Sequence, residues 1–190
     1  MRKYTPEELE VFLTAVDANL KSPTKITVMG GGAIALAHGV DRNTSDIDTL
    51  ETNLRGISRA VEKAQEETGL NIEVSGRSGA VGDAPWHSDE RLIRVLPELE
   101  KLQVYALEEH DVALSKTLRG HENDFAAIEK LHKHVGLNED VLVHRYLNEV
   151  MGHVMGNPKR LDLNFVLLID RLYGEISADH VRQLLKQRGR

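Results

Sequence analysis

The sequence predicts an α/β (α+β) fold, with a small mixed and mostly antiparallel sheet flanked by helices and followed by a C-terminal helical bundle. Short stretches of alternating apolar and polar residues lie between helical segments, which predicts the sheet. The stretches 91–96 and 102–107 are separated by one short connection, as in an antiparallel pair. Beyond Leu137 the chain shows helical periodicity only. We therefore expect a core at 1–107 and a helical part at 108–190 that packs on it.

The composition is that of an ordinary globular protein. With 190 residues, 41% hydrophobic and 28% charged, the chain can bury one substantial core. A net charge of −6 argues against broad, non-specific nucleic-acid binding but permits a local basic groove. The absence of cysteine excludes disulfides and thiolate chemistry. No apolar run is long enough to span a membrane and no signal sequence is evident, so we expect a cytoplasmic protein.

The first helix has a strong start signal. Thr5 is placed as the N-cap, Pro6 occupies the first helical position, and Glu8 completes a capping box. Apolar residues then recur at helical spacing and predict a face that packs on the sheet. These residues are Leu9, Phe12, Leu13, Val16 and Leu20.

The next stretch combines a strand, a glycine run and a short helix. The apolar run 26–29 predicts a buried strand, Gly30, Gly31 and Gly32 follow it, and small residues from 33 to about 38 predict a helix. Because glycine has no side chain, its backbone N–H groups and the following helix N-terminus can approach an anion closely. The stretch therefore predicts a phosphate-binding turn.

A pair of acids follows on the next predicted strand. In Asp46-Ile47-Asp48 the two-residue period of a strand places both carboxylates on one face, with Cα atoms about 6.5–7 Å apart. The two charges would repel each other unless a cation lay between them, and Mg²⁺ favours a few carboxylates together with phosphate oxygens. The pattern therefore predicts that Asp46 and Asp48 bind the metal ion that accompanies a bound phosphate.

Two other interpretations of this region remain open. Gly30, Gly32 and Ala35 match the G-x-G-x-x-A fingerprint of dinucleotide-binding enzymes, which predicts an NAD-dependent protein. Against it, residues 39–43 end the helix before the full crossover that such a unit needs. In the second interpretation, the glycines allow tight packing, and the acids are solvent-exposed residues at a strand edge that bind no ligand.

The rest of the core alternates helices and strands. Asn53 is placed to cap a helix that runs to about residue 68 and ends at Gly69. Residues 71–75 alternate as a strand, and a glycine-containing loop, 76–89, leads to the antiparallel pair.

A charged helical hairpin begins the C-terminal part. Lys116 and Arg119 lie three residues apart and share a helix face, Gly120 ends that helix, and Asp124 lies in the first turn of the next. Farther on, Asn138 and Ser177 are placed as N-caps of later helices.

The strand, glycine run, short helix and DxD together resemble motif one of the polymerase-beta-like nucleotidyltransferases. More narrowly, the segment GGGAIALAHGVDRNTSDIDTL is similar to minimal nucleotidyltransferases related to AbiEii-type toxins, in which Arg-x-Thr precedes DxD, as Arg42 and Thr44 do here. A second motif of those enzymes contains Asp, Lys, Arg and Asp. It is matched here with Thr117 in place of the usual leucine. The matching residues are Asp111, Lys116, Arg119 and Asp124.

The resemblance implies a transferase that moves a nucleotidyl group from an NTP to an acceptor hydroxyl of RNA, such as a tRNA end, or of a protein. It implies Mg²⁺ or Mn²⁺ as cofactor, and a toxin function with an antitoxin partner. The implied catalytic residues are Asp46, Asp48, Lys116 and Asp124. The implied nucleotide-binding residues are Gly30, Gly31, Arg42, Thr44 and Arg119. The implied metal ligands are Asp46, Asp48 and, from a neighbouring strand, Glu73. The alternative is a non-catalytic nucleotide-binding or protein-interaction module with the same fold.

Overall fold

The computed structural model describes residues 2–40, 43–76, 89–153 and 156–189. The described residues of Met1–Ser78 and Ser88–Glu108 form one compact unit, and those of Glu109–Arg190 belong to a second. The predicted mixed α/β class, with helices at the C-terminal end, is confirmed. None of the helices in the described ranges is long and apolar enough to cross a membrane.

The described part of the first unit contains a five-stranded mixed sheet in the order β3-β2-β1-β5-β4. Its strands are β1 (Thr24–Val28), β2 (Asp46–Thr49), β3 (Glu73–Gly76), β4 (Ile93–Val95) and β5 (Leu102–Ala106). β1 pairs antiparallel with β2, and β4 pairs antiparallel with β5, as predicted for the latter two. β1 is parallel to β5, and β2 is parallel to β3.

The described part of the first unit also contains the α-helices α1 (Pro6–Asn19), α2 (Gly30–Ala37) and α3 (Ser58–Thr68), and a 3-10 helix at Asp89–Arg91. The capping box of α1 is confirmed, since the Glu8 N–H donates to the Thr5 hydroxyl and the Thr5 N–H donates to the Glu8 carboxylate. The predicted cap of α3 is wrong. Asn53 accepts from the N–H of Arg55 in a turn, and that turn delays the helix to residue 58. Gly69 ends α3 with a φ of 68°, as predicted.

The sheet has one apolar and one polar face. Val28 and Thr49 are register partners and both are buried, so the face they share is covered. The other buried strand residues of that face are Ile26, Ile47, Val95, Leu102, Val104 and Ala106. Side chains alternate along a strand, so the intervening residues lie on the opposite side, called here the polar face. The polar face carries Lys25, Asp46, Asp48, Glu73, Arg94, Gln103 and Tyr105.

The described part of the second unit is helical: α4 (Glu109–Arg119), α5 (Glu122–Val135), α6 (Glu139–Arg145), α7 (Pro158–Tyr173) and α8 (Glu175–Gln187). Tyr146 and Phe165 stack in its core with ring centroids 3.9 Å apart. Asn138 caps α6 as predicted. The predicted Ser177 cap of α8 is wrong, because Gly174, with a φ of 91°, turns the chain directly from α7 into α8. Ser177 instead donates to Glu139.

Candidate active site

The two acids of β2 lie on the polar face and are partly exposed, whereas Ile47 between them is buried. The Ser75 hydroxyl on β3 donates to Oδ1 of Asp48 over 2.9 Å, and the Thr44 hydroxyl lies 3.3 Å from Oδ1 of Asp46. Within the described ranges, neither carboxylate forms an ion pair with a Lys, Arg or His side chain. Two neighbouring anions that no cation of the described ranges neutralises are a suitable donor set for a hard cation.

The glycine run lies directly beside these acids. The sequence predicted a glycine turn followed by a helix from residue 33. In the structure α2 already begins at Gly30, so the glycines form its first turn. A Cβ placed on Gly30 would lie 3.4 Å from Oδ2 of Asp48, and a Cβ on Gly31 would lie only 2.6 Å from the Thr44 hydroxyl. The predicted convergence of glycines and acids is therefore present, and Gly31 has no room for a side chain.

The chain just before β2 is held by the N-terminal segment. The Tyr4 N–H donates to the Thr44 carbonyl over 2.7 Å, and the Thr44 N–H donates back over 3.1 Å. Tyr4 is buried, so this bridge fixes Thr44 next to Gly31 and Asp46. No local pattern predicts this pairing, because the two residues are distant in the chain. Arg42, the other nucleotide-binding residue predicted before β2, lies outside the described residues.

Glu73 is the first residue of β3 and the register partner of Asp46 in the parallel pair of β2 and β3. Register partners share a face, so Glu73 lies on the same side as both acids, and its side chain is exposed. It does not form a tight group with them: among the described residues, the three-member group with ligand atoms within 4.8 Å consists of the consecutive residues Glu108, Glu109 and His110. Glu73 as third metal ligand therefore stays a prediction.

The second unit brings together three of the four charged residues of the second motif, Lys116, Arg119 and Asp124. Oδ1 of Asp124 accepts from Nζ of Lys116 over 3.2 Å and from Nη2 of Arg119 over 2.7 Å. The Lys116 side chain is 4% exposed and that of Asp124 7%, whereas that of Arg119 is 47% exposed. Oδ2 of Asp124 is buried and has no hydrogen-bond partner in the described part of the chain. One carboxylate therefore positions a buried and a half-exposed cation.

Ion pairs brace the helices that carry this cluster. Arg145 donates to buried Asp111 over 2.8 Å, and this pair links α4 to α6. Arg171 on α7 donates to both oxygens of Glu122 in the first turn of α5. This bond lowers the pKa of Glu122 and raises that of Arg171. Sequence reasoning missed both pairs, because each joins residues far apart in the chain.

Comparison with known proteins agrees with this geometry. Residues 7–171 match the model of a family described as nucleotidyltransferase of unknown function (DUF6036). The matched span contains the glycine run, both acids of β2 and the cluster around Asp124. Neither the curated proteins nor the solved structures gave a significant match. Because the family model covers most of the chain, this protein belongs to that nucleotidyltransferase family.

Proposed function

We propose that the protein is a metal-dependent nucleotidyltransferase that moves a nucleotidyl group from an NTP to a hydroxyl of an RNA, such as a tRNA end, or of a protein. Membership of a nucleotidyltransferase family supports the reaction class. The observation that carries the proposal is the contact between the first turn of α2 and the acid pair, with the Cβ position of Gly30 only 3.4 Å from Asp48 Oδ2. Residues 1–107 would form the nucleotidyltransferase core and 108–190 its helical part.

The donor set of β2 suits Mg²⁺ or Mn²⁺. Asp46 and Asp48 offer hard carboxylate oxygens, Glu73 is a further carboxylate on the same face, and Ser75 holds the Asp48 carboxylate in place. When bound there, the ion would supply positive charge to the triphosphate oxygens and orient them. The partial exposure of both acids leaves their free oxygens accessible to a substrate.

The residues around the acids would bind the triphosphate. The first backbone N–H groups of a helix have no hydrogen-bond partner within that helix. Because Gly30 and Gly31 have no side chains, phosphate oxygens can approach these N–H groups. In the reaction, the acceptor oxygen forms a bond to the α-phosphorus while the bond from that phosphorus to the bridging oxygen breaks. Pyrophosphate then leaves, and the acceptor proton passes to water. Thr44 supports the site by fixing the Gly31 turn against β2.

Lys116 and Arg119 would neutralise the negative charge that develops on the transferred or leaving group. A carboxylate at the position of Asp124 could serve as a base or could position a neighbouring cation. Its Oδ1 already accepts charge-assisted hydrogen bonds from both cations, which supports the positioning role.

The resemblance to AbiEii-type toxins supports a further proposal, that the enzyme acts as the toxin of a toxin–antitoxin pair. Controlled expression with and without the product of each gene adjacent to its own would test this proposal. Growth arrest that depends on Asp48 and is relieved by a co-expressed partner would support it, and normal growth on strong expression would contradict it.

The transferase activity can be tested with the purified protein, Mg²⁺, total RNA or protein extract, and each NTP labelled at either the α- or the γ-phosphate. Transfer of α-label but not γ-label to an acceptor identifies nucleotidyl transfer. Asp48→Ala should abolish the transfer, whereas Asp179→Ala, at an exposed position of α8, should leave it unchanged. NTP binding without transfer to any acceptor would favour the non-catalytic module, and metal-independent binding of NAD would favour the dinucleotide interpretation.

A further inference from the structure

Arg160, near the start of α7, lies against the end of α4. It is exposed, and its Nη2 donates to the backbone carbonyl of Arg119 over 3.3 Å. One turn farther along α7, Asn164 donates to the Thr117 carbonyl over 3.1 Å. A Cβ on Gly120 would lie only 2.1 Å from the amide nitrogen of Asn164, so the turn after α4 packs tightly on α7. The packing of α4 on α7 therefore holds Arg119 and Arg160 at the same turn.

These two arginines, called here the arginine pair, have more positive charge than their surroundings balance. Within the described ranges, Asp124 is the one carboxylate that forms an ion pair with either of them, and it is shared with Lys116. The Arg119 side chain uses Nη2 in that contact and is 47% exposed. A guanidinium has five N–H donors, so each arginine keeps donors that no described group accepts from. These donors are available to a ligand.

The end of α4 explains only part of this arrangement. The last carbonyls of a helix have no partner within the helix and attract a nearby cation. Arg160 satisfies one such carbonyl with a single N–H, and this contact needs neither a planar guanidinium nor a second cation. Two like charges at one helix end also repel each other. An anion that contacts both guanidinium groups would relieve that repulsion and accept from the remaining donors.

We infer that the arginine pair binds the pyrophosphate part of the NTP, with Arg160 as a substrate-binding residue outside both sequence motifs; the choice of ligand rests on the proposed function. The planar fork of a guanidinium matches the oxygens of a phosphate group and can bind two of them at once. Pyrophosphate concentrates several negative charges in one small ion, whereas a single-stranded nucleic acid has about one charge per nucleotide. Two cations at a single turn suit the compact ion better.

Binding of inorganic pyrophosphate to the purified protein, measured by isothermal titration calorimetry with and without Mg²⁺, tests this inference. Arg160→Gln keeps an N–H donor for the Arg119 carbonyl but removes the charge, and should weaken binding about 10-fold, the loss of one charge-assisted hydrogen bond. Arg160→Lys keeps the charge but not the fork, and its affinity should lie between those of Arg160→Gln and the wild type. Lys159→Gln removes an exposed cation from the adjacent position of α7 and is the matched control, with unchanged affinity.

The outcomes separate this inference from the proposed function. Weaker pyrophosphate binding in Arg160→Gln but not in Lys159→Gln supports the inference even when no NTP is transferred, and that missing transfer counts against the proposed function alone. Equal affinity in the wild type, Arg160→Gln and Arg160→Lys overturns the inference, whereas transfer of α-label by the same proteins leaves the proposed function intact. If Arg160→Gln instead weakens only the binding of a single-stranded RNA with a 5′-hydroxyl, measured by fluorescence anisotropy, the inference is overturned in favour of a nucleic-acid backbone.

Discussion

Replacing Gly30 by alanine tests whether the contact between α2 and Asp48 has a function. Gly30 has a φ of 62°, a conformation that costs a residue with a side chain about 1–2 kcal/mol. The added methyl would lie 3.4 Å from Asp48 Oδ2, which is an ordinary contact distance, so no clash adds to that cost. We expect the free energy of unfolding to fall by about 1–2 kcal/mol. We also expect the methyl to exclude any ligand that must reach this oxygen.

Gly69→Ala provides a matched control in the same unit. Gly69 has a φ of 68°, close to that of Gly30, but a Cβ there would meet nothing within 4 Å. Both variants should therefore lose a similar free energy of unfolding, measured by urea denaturation. Only Gly30→Ala should also lose Mg²⁺-dependent NTP binding, measured by isothermal titration calorimetry. Equal NTP binding in the two variants would refute the assignment of Gly30 and Asp48 to a common site.

Two further variants probe the surroundings of the two charged sites, and a third probes the carboxyl of Asp17 on α1. Ser75→Ala removes one hydrogen bond to Asp48, and should raise the Mg²⁺ concentration needed for transfer while costing about 1 kcal/mol in a urea melt. Asp124→Ala removes a buried carboxylate that accepts from Lys116 and Arg119, and should cost about 2–3 kcal/mol by the same measurement. Asp17→Asn should flatten the acid limb of the stability–pH curve.

The sign of the Asp17 effect follows from its contacts. Burial raises the pKa of this carboxyl, but the N–H groups of Leu102, Lys101 and Glu100 donate to it and hold the pKa below its usual 3.8. A carboxyl whose pKa is lower in the folded than in the unfolded state stabilises the protein at pH values above its unfolded-state pKa. That stabilisation is lost as the pH falls through its folded-state pKa. Urea melts from pH 7 downward should therefore show a steeper loss in the wild type than in Asp17→Asn.

Features that depend on neighbouring residues could be predicted from the sequence. The capping box at Thr5 and Glu8 needs only a three-residue spacing, and the two acids of β2 need only the period of a strand. The prediction that the glycine run lies beside these acids is also confirmed. The run follows β1, and a short helix leads from it back to β2, which pairs antiparallel with β1, so the run and the acids must lie close together. Lys116, Arg119 and Asp124 meet for a similar reason, since Gly120 turns α4 directly into α5.

Features that depend on distant pairings could not be predicted. Asn53 and Ser177 are residue types that are common at N-caps, but neither caps its helix. A turn at Arg55 and the positive φ of Gly174 decide where α3 and α8 begin. The bridge between Tyr4 and Thr44 joins segments separated by two helices and a strand. Its position depends on tertiary packing, and no local spacing encodes it.

The register of β3 against β2 decides whether Glu73 can take part in the site. A shift of one residue would turn Glu73 and Ser75 to the covered face and remove the hydrogen bond to Asp48. The observed register pairs Ile47, which is fully buried, with Val74, so apolar burial on one face sets the position of the acids on the other. The acid pair therefore depends on the sheet core, and a polar residue at position 47 should impair the proposed Mg²⁺ binding at Asp46 and Asp48, measured by isothermal titration calorimetry, without contacting the ion.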